Sequence, residues 1–326
     1  MRDLILRTAL VLLAQPALAG DITVTATPVP LNPADSQQTQ VDSLQFVAGF
    51  ELTSPAPEWG GYSGMVISDD GSNIVAVSDI GHWLRLALTH DADGKLTGVG
   101  AAQIEPLLDE SGQPVASKEW SDAEAVAAVS GGSNIVAFER NHRLWRYASV
   151  NGAPSGAAEA VPAPSGISDL PENSGVEALL ADENGALTLV AESGAADGAS
   201  RGWQQQGTDW KTLRIERSDG FEPTDLADAG DGKLALLERR YTEKDGPAAR
   251  VSLLSRSAGD GPVAGYTLAV LRLPLSVDNF ECIAVRPGPG NGRYIYLLSD
   301  NNQNPQQRTL LLQFYVPDIA ASDGAP

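Results

Sequence analysis

The sequence is poor in cysteine and histidine, on which many catalytic and metal sites depend. Its one cysteine, Cys282, has no partner for an internal disulfide, and a single thiol is more often a small buried hydrophobe than a nucleophile. The three histidines form no metal-spaced pair and no His-Glu-x-x-His motif. The sequence therefore offers neither a disulfide framework nor a histidine-based metal motif.

Basic residues are also scarce. Lys and Arg number 22 against 42 Asp and Glu, so the formal net charge is −20 at pH 7. A surface of this sign repels nucleic acid and anionic membranes, and we expect no nucleic-acid partner. It attracts divalent cations and basic ligands. As an alternative, the excess of acidic side chains serves only to keep the protein in solution.

Beyond the N-terminus, no segment has the roughly 20 consecutive apolar residues of a membrane helix, so we expect no membrane insertion. Residues 1–19 resemble a secretory signal peptide. The features are Arg2 and Arg7, the apolar run Thr8 to Ala14, and the small-x-small site Ala17-Leu18-Ala19. We expect cleavage before Gly20 and a periplasmic or secreted protein. Losing two arginines and one aspartate leaves 20 basic and 41 acidic side chains, a net charge of −21.

What the sequence does contain is an internal repeat. Five segments share a small or acidic start, an apolar strand, a polar turn, a second apolar strand and a polar or charged pair at its end. Turns rich in Asp, Asn and Gly between short apolar runs favour β-hairpins over helices. The segments start at Ser63, Glu124, Glu177, Thr224 and Glu281, with gaps of 61, 53, 47 and 57 residues.

These repeats predict an all-β protein, a β-propeller of four-stranded blades, because four strands in about 50 residues is the size of one blade. The number of repeats favours five blades. A sixth blade is the alternative, if residues 193–222 contain a degenerate repeat. The strand near Leu44 to Leu52 is expected to pair beside Thr309 to Tyr315, which would close the ring. We therefore divide the chain into a signal peptide (1–19), an N-terminal extension (20–40), a propeller domain (41–316) and a disordered tail (317–326).

Hairpin geometry predicts where the acidic residues meet. The start of the first strand of each repeat lies beside the end of the second, and the innermost strands of a propeller all run the same way. Clustered carboxylates repel one another, and a hard cation or guanidinium groups relieve that repulsion. As an alternative, these are only polar strand ends, with Arg–Glu pairs that join neighbouring blades. The predicted metal ligands are Asp79, Glu124, Glu177, Glu281 and Asp300.

Six segments carry a resemblance to a known family: DNFECIA (278–284), YLLSDNN (296–302), NPQQRT (304–309), ENSGVEAL (172–179), LERR (237–240) and GGYSGM (60–65). They resemble the phytase-like family described as having esterase-like activity. Those near the C-terminus are the most specific, and two positions depart from the family: Cys282 replaces its usual Gly and Asn301 a frequent Asp. The resemblance covers about residues 41–316 and implies a secreted or periplasmic bacterial domain.

The resemblance implies a hydrolase of phosphate esters that works with a divalent cation, for which we expect Ca²⁺. Carboxylates alone would repel the ester, so the cation has to bridge protein and phosphate. We expect Glu281 to be catalytic, Arg140, Arg239 and Arg308 to bind phosphate, and one acid to be the general base. We also expect a monomer whose partner is a small anionic ligand. The alternative is a non-catalytic exported propeller that binds a ligand or protein on the same face.

Overall fold

A computed structural model describes residues 20–115, 117–150, 152–195, 198–256 and 261–319. The predicted signal peptide and residues 320–326 of the predicted tail lie outside these ranges. Two short helices occur among the described residues, α1 (Lys118–Ser121) and a 3₁₀ helix (Ile167–Asp169). With four and three residues, neither can reach across a bilayer.

The rest of the described chain is built from β-strands in five antiparallel sheets. The N-terminal strands are β1 (Gly20–Ile22), β2 (Thr25–Pro28), β3 (Gln40–Val41) and β4 (Leu44–Thr53). Blade 1 contains β5 (Tyr62–Ile67), β6 (Asn73–Ser78), β7 (His82–His90) and β8 (Leu96–Pro106). Blade 2 contains β9 (Ala123–Val129), β10 (Ser133–Phe138), β11 (Arg143–Val150) and β12 (Ala153–Val161).

The remaining three blades follow in chain order. Blade 3 contains β13 (Val176–Ala181), β14 (Leu187–Gly194), β15 (Ser200–Gln206) and β16 (Asp209–Ile215). Blade 4 contains β17 (Glu222–Gly230), β18 (Lys233–Thr242), β19 (Gly246–Ser255) and β20 (Tyr266–Arg272). Blade 5 contains β21 (Asn279–Pro287), β22 (Arg293–Asp300) and β23 (Thr309–Val316).

The ring closes as predicted, through strands from opposite ends of the chain. Strand β4 pairs antiparallel with β23, so that Leu52 lies opposite Thr309 and Phe50 opposite Leu311. Residues 193–222 supply the outer strands of blade 3 and no further blade in their described part. The fold is thus the predicted β-propeller, with five blades.

The packed structure extends beyond the predicted domain limits of 41 and 316. Strand β1 pairs with β8 at the edge of blade 1, and β2 pairs with β4 at the edge of blade 5. At the other end, Ile319 has no exposed surface and packs in the largest hydrophobic cluster. The N-terminal extension therefore contributes two edge strands to the propeller, and the chain stays packed to Ile319.

The innermost strands β5, β9, β13, β17 and β21 contact one another around the axis. Space is limited there: a Cβ on Gly64 would lie 2.9 Å from the backbone nitrogen of Val126 and 3.0 Å from Cα of Ala125. Farther out, buried side chains such as Leu297, Leu312 and Phe314 fill the space between blades. Each buried side chain of this size contributes about 1.5–3 kcal/mol, which makes the ring a rigid support for its strand ends.

Candidate functional site

The innermost strand of every blade has a β-bulge at the same place. In β5 the pairing steps from Tyr62–Ser78 to Gly64–Val77 and leaves one residue without a partner. The other four innermost strands repeat this shift. A bulge bends the strand and re-aims the extra side chain. The bulged residues are the five that begin the sequence repeats, Ser63, Glu124, Glu177, Thr224 and Glu281.

A second set of side chains comes from the end of the second strand of each blade. Each of these residues pairs with the residue two positions before the bulge. For example, the backbone N–H of Glu139 donates to the carbonyl of Asp122 at 2.8 Å, and Asn279 lies opposite Asp300. The set contains four acids and one base, Asp79, Glu139, Glu192, Arg239 and Asp300.

Nine of these ten residues line a pocket of about 380 Å³ on one face of the propeller. Eight of its fourteen lining residues are acidic and three are basic, so the pocket carries an excess of negative charge when its carboxyl groups are ionised. The lining residues are Ser63, Asp79, Lys118, Asp122, Glu124, Glu139, Arg140, Asn173, Glu177, Glu192, Arg239, Glu281, Asp300 and Asn302.

The three basic side chains already contact acids of the pocket. The ammonium of Lys118 lies 2.7 Å from Oδ2 of Asp79 and 2.5 Å from Oδ1 of Asp122. Arg140 contacts the other oxygen of Asp122 at 2.6 Å. Arg239 Nε lies 3.3 Å from Oε1 of Glu281. Among the described residues, no cation ion-pairs with Glu124 or Glu177.

Burial and mutual repulsion raise the pKa of the two bulged acids in neighbouring blades. For Glu124 the causes are burial first, then the negative charges of Glu177 and Asp122, and its pKa lies well above the usual range. For Glu177 burial is again the largest cause, followed by the charges of Glu192 and Glu139. Burial and the neighbouring negative charges therefore both favour the protonated form of these two groups.

Three more acids of the pocket, Glu139, Glu281 and Asp300, have a pKa that burial raises. Burial raises the pKa of Glu139 to about 7, with the charge of Asp122 adding to it. Burial also raises the pKa of Glu281 to about 7, although the Arg239 guanidinium opposes the shift. The pKa of Asp300 rises to about 6 through burial, against a stabilising hydrogen bond from the N–H of Asn302.

The donor set fits a hard divalent cation. Asp122, Glu124 and Glu139 each offer a carboxylate oxygen, and these oxygens lie within 4.8 Å of one another. Oδ1 of Asp79, also in the pocket, is buried without a hydrogen-bond partner among the described residues. Carboxylate oxygens at such spacing are the ligands that Ca²⁺ and Mg²⁺ prefer.

Seven of the eight residues predicted from the sequence line this pocket: Asp79, Glu124, Arg140, Glu177, Arg239, Glu281 and Asp300. Arg308 does not. It follows the turn after β22 and folds back, so that its Nε donates to Oδ2 of Asp278 at 3.2 Å and its Nη2 to the carbonyl of Val277 at 3.0 Å. Its position therefore suits an anchor for the preceding loop and not a phosphate ligand in the pocket.

The sequence reasoning missed two residues at the centre of the site. Asp122 lies two residues before the bulged Glu124, a position that the repeat pattern left unassigned. Lys118 lies on α1, in the connection between blades 1 and 2, where no repeat signal exists. The acids at the strand ends, Glu139 and Glu192, were visible in the repeats but were not proposed as ligands.

Blade 4 departs from the others at both positions. Thr224, at its bulge, does not line the pocket, and the strand-end residue is the base Arg239. Asp225 lies opposite Leu237 and accepts a hydrogen bond from the N–H of Ile283 at 2.8 Å. The side chain of Asp225 thus ties blade 4 to blade 5.

Two possible nucleophiles lie outside the pocket lining. The segment Gly198-Ala199-Ser200-Arg201-Gly202 has the spacing of a serine-hydrolase motif, but Ser200 is fully buried in β15 and donates to the carbonyl of Glu192 at 2.8 Å. Cys282 is also fully buried, and burial raises the pKa of its thiol well above the usual range. Neither side chain is accessible to a substrate.

Comparison with solved structures gives only distant matches. Similar structures include the β-propeller domain of Cps50 (Swd1) from Myceliophteria thermophila, with 8% identity over 91% of this chain and 99% of that one and a TM-score of 0.40. A luciferin-regenerating enzyme has 12% identity, 88% and 95% coverage and a TM-score of 0.41. A Bacteroides thetaiotaomicron protein of unknown function has 9% identity, 91% and 76% coverage and a TM-score of 0.49. Matches at this level carry no information about activity.

Sequence comparison is more specific. No curated protein matches the chain. The family model for phytase-like domains, described as the esterase-like activity of phytase, matches residues 57–303. This range contains all five bulged residues and the whole lining of the acidic pocket. The chain therefore belongs to the phytase-like family.

Proposed function

We propose that this chain is an exported hydrolase of phosphate esters that works with a divalent cation in the acidic pocket. The observation that carries this proposal is the pocket's charge: eight acids face only three bases, and all three bases already contact acids. A pocket of this kind repels a phosphate ester unless a cation is present. The family's description supports a hydrolase, and residues 1–19 support export.

Asp122, Glu124 and Glu139 would hold the cation, with Asp79, Glu177 and Asp300 in the same pocket. Ca²⁺ is the proposed ion because it accepts six to eight oxygen ligands in flexible geometry. When bound, the cation neutralises phosphate charge and polarises the phosphoryl group. Lys118 is 46% exposed, so it can leave Asp122 when a cation takes its place.

Arg239 is the proposed phosphate ligand of the protein itself. Its Nε is held by Glu281, its Nη1 donates to Oδ1 of Asn279 at 3.2 Å, and the side chain remains 38% exposed. A guanidinium that is anchored at Nε and Nη1 but still partly exposed can donate its remaining N–H groups to phosphate oxygens. Arg140, fixed by Asp122, could bind phosphate from the opposite side.

Hydrolysis requires a group that takes a proton from water. A water oxygen forms the new bond to phosphorus, the bond to the alcohol oxygen breaks, and that oxygen takes up the proton that water released. We assign proton transfer to Glu281 because its carboxylate is 12% exposed and lies beside Arg239. Asn279 donates to the same carboxylate at 2.8 Å and fixes its orientation.

The test combines thermal unfolding with an ester assay. Purified mature protein is melted with Ca²⁺ or with chelator, and hydrolysis of phosphate and carboxylate esters is measured under both conditions. Cation binding at a hundredfold excess over its Kd stabilises the native state by about 2.7 kcal/mol. Glu281→Gln removes the proposed proton-transfer group but keeps the shape, so we expect it to abolish activity, whereas Glu124→Gln should abolish most of the cation-dependent gain in Tm.

Thr224→Ser is the matched control, because Thr224 occupies the same bulge in blade 4 but does not line the pocket. It should keep both the activity and the response to Ca²⁺. A wild-type protein that hydrolyses no ester and whose Tm ignores Ca²⁺ and chelator would contradict the proposal. The non-catalytic binding propeller would then be the better description. Mass spectrometry of the exported protein tests processing, and a retained Met1 would contradict export by cleavage.

A further inference from the structure

A second cleft, of about 580 Å³, lies directly beside the acidic pocket. Arg239 and Asn302 line both, so the two spaces meet at the proposed phosphate ligand. A volume of this size is within the range of small-molecule sites. We call it the amide cleft, after the side chains Asn279, Asn302, Asn304, Gln306 and Gln307 in its lining.

One wall of the amide cleft is an extension of the blade 4 hairpin. In three other blades the second strand ends at the residue that lines the pocket or one residue before it: β6 before Asp79, β10 before Glu139 and β22 at Asp300. In blade 4, β18 continues past Arg239 to Thr242. The added residues pair with β19, Tyr241 opposite Pro247 and Thr242 opposite Gly246. The hairpin therefore rises above the face that carries the pocket, and the side chain of Tyr241 is 71% exposed.

The opposite wall is the loop of residues 301–307 after β22. Consecutive turns fix it, with the N–H of Asn304 donating to the carbonyl of Asn301 at 2.7 Å and the N–H of Gln307 to that of Asn304 at 2.9 Å. The contact between Arg308 and Asp278 anchors its end. The loop is thus a structured wall with exposed amide side chains.

The chemistry of the amide cleft differs from that of the pocket. Within the described residues, the side-chain amides of Asn302 and Gln306 make no hydrogen bond, so their donors and acceptors are available. The cleft's one carboxylate, Asp278, is paired with Arg308. Arg240 is also occupied, by the carbonyl of Asp219 at 2.9 Å and the ring of Phe221. The free groups are therefore mostly neutral amides and one exposed aromatic ring.

Neutral amides both donate and accept hydrogen bonds, as hydroxyl groups do. An aromatic ring at the rim can cover the apolar face of a ring that carries hydroxyls. A polyphosphorylated group, in contrast, needs several free cations, and this cleft offers only the exposed edge of Arg239. The amide cleft is consequently suited to an uncharged group that is rich in hydroxyls.

We propose that the amide cleft binds the alcohol part of the ester and that this part is an uncharged polyol or sugar. The preferred substrate is then a sugar or polyol monophosphate, with its phosphate at Arg239. Only this orientation rests on the proposed function, since the affinity of the cleft for hydroxyls depends on its own side chains.

Binding is measured by calorimetry and by saturation-transfer NMR, independently of hydrolysis. The ligands are glucose, glucose 6-phosphate, phenyl phosphate, inositol hexakisphosphate and inorganic phosphate, each with Ca²⁺ and with chelator. The variants Tyr241→Ala and Gln306→Ala remove groups of the cleft that do not line the acidic pocket. Lys244→Ala, at the tip of the same hairpin and outside the cleft lining, is the control.

We expect glucose to give a saturation-transfer signal even with chelator, and glucose 6-phosphate to bind more tightly than phenyl phosphate. Each cleft variant should lower the affinity for glucose 6-phosphate about three- to tenfold, the usual effect of one lost hydrogen bond or ring contact. Neither should change the affinity for inorganic phosphate, and Lys244→Ala should change nothing.

The outcomes separate this inference from the proposed function. If glucose binds through Tyr241 and Gln306 but Ca²⁺ has no effect and no ester is hydrolysed, the cleft assignment stands and the proposed hydrolase fails. If esters are hydrolysed with Ca²⁺ but the sugar adds no affinity and both variants behave as wild type, the cleft assignment is overturned. Tighter binding of inositol hexakisphosphate than of glucose 6-phosphate would also overturn it.

Discussion

Blades 3 and 4 have the same hairpin and the same bulge but opposite chemistry. In blade 3, Glu177 at the bulge and Glu192 at the strand end both line the acidic pocket. In blade 4 these positions are Thr224 and Arg239, and the acid Glu238 comes one residue earlier. Successive side chains of a strand point to opposite faces, so this shift turns Glu238 away from the pocket. The repeat therefore fixes where side chains can meet, and single residues decide their charge.

Glu238 and Glu177 have very different surroundings. Arg250 Nε donates to Oε2 of Glu238 at 2.7 Å, Arg250 Nη2 donates to Oε1 at 2.5 Å, and the hydroxyl of Ser252 donates at 2.9 Å. Glu177 faces other carboxylates instead. An acid with satisfied hydrogen bonds holds a blade together, whereas an acid among acids is free to bind a cation.

The largest expected effect on cation binding and activity comes from removing the charge in blade 3. Glu177→Gln deletes a carboxylate of the pocket, so we expect Ca²⁺ affinity and cation-dependent ester hydrolysis to fall by about 100-fold. Calorimetry with Ca²⁺ and steady-state kinetics measure the two quantities. Thr224→Ser should leave both within twofold of wild type, about the experimental error of such comparisons. Unchanged Ca²⁺ affinity in Glu177→Gln would remove this residue from the site.

The same substitution in blade 4 should act on stability. Glu238→Gln leaves the buried Arg250 without its buried counter-ion, since its other partner, Asp219, is exposed, and breaking a buried pair costs about 3–5 kcal/mol. In chelator, Glu177→Gln should instead stabilise the protein, because it removes repulsion between carboxylates. Urea unfolding of both variants tests this contrast. If Glu177→Gln destabilised the protein as much as Glu238→Gln does, both acids would have a structural role and the contrast between the blades would be wrong.

In the metal-free protein, the pocket acids should make stability decrease as pH rises, whereas carboxyl groups with a lowered pKa make it increase. The pKa values of Glu139 and Glu281 are about 7 and that of Asp300 is about 6, against about 4 in an unfolded chain. Between these values the native state holds protons that the unfolded state has released. Stability from these groups is therefore complete below about pH 4 and is lost as pH rises through 6 to 7.

We accordingly expect the Tm in chelator to fall by several degrees between pH 5 and 7.5, and Ca²⁺ to restore it at pH 7.5. Thermal scans across this range with and without Ca²⁺ measure the effect, and Glu139→Gln should reduce its size. A Tm in chelator that rises steadily from pH 5 to 7.5 would be inconsistent with carboxyl groups held in a protonated state.

The smallest effect is expected at Arg308, the predicted phosphate partner that lies outside the pocket. Arg308→Ala loses a partly exposed ion pair with Asp278, which is worth about 0–1 kcal/mol. Hydrolysis of phenyl phosphate should stay within about threefold of wild type, while Arg239→Ala should lose most of it. Kinetics of the two variants side by side would decide between them. If Arg308→Ala lost as much hydrolytic activity as Arg239→Ala, Arg308 would have to be a phosphate ligand.

Much of the fold follows from the sequence alone. Apolar runs, turn residues and repeat spacing are local features, and they indicated the hairpins, the propeller and the closing strands Leu44–Thr53 and Thr309–Val316. The choice between five and six blades needed the structure, because the outer strands of blade 3, in residues 200–215, have no clear repeat pattern. Seven of the eight candidate site residues could be chosen because strand ends of one propeller face converge.

Tertiary structure decided the rest of the site. The one-residue bulge at Glu177 brings this acid to the pocket lining, and no sequence pattern shows that bulge. Lys118 and Asp122 reach the pocket from the connection between blades 1 and 2 and the start of blade 2. Arg308 turns back to Asp278 because its loop folds on itself. Which side chains meet depends on register and on contacts between distant blades, which exist only in the folded chain.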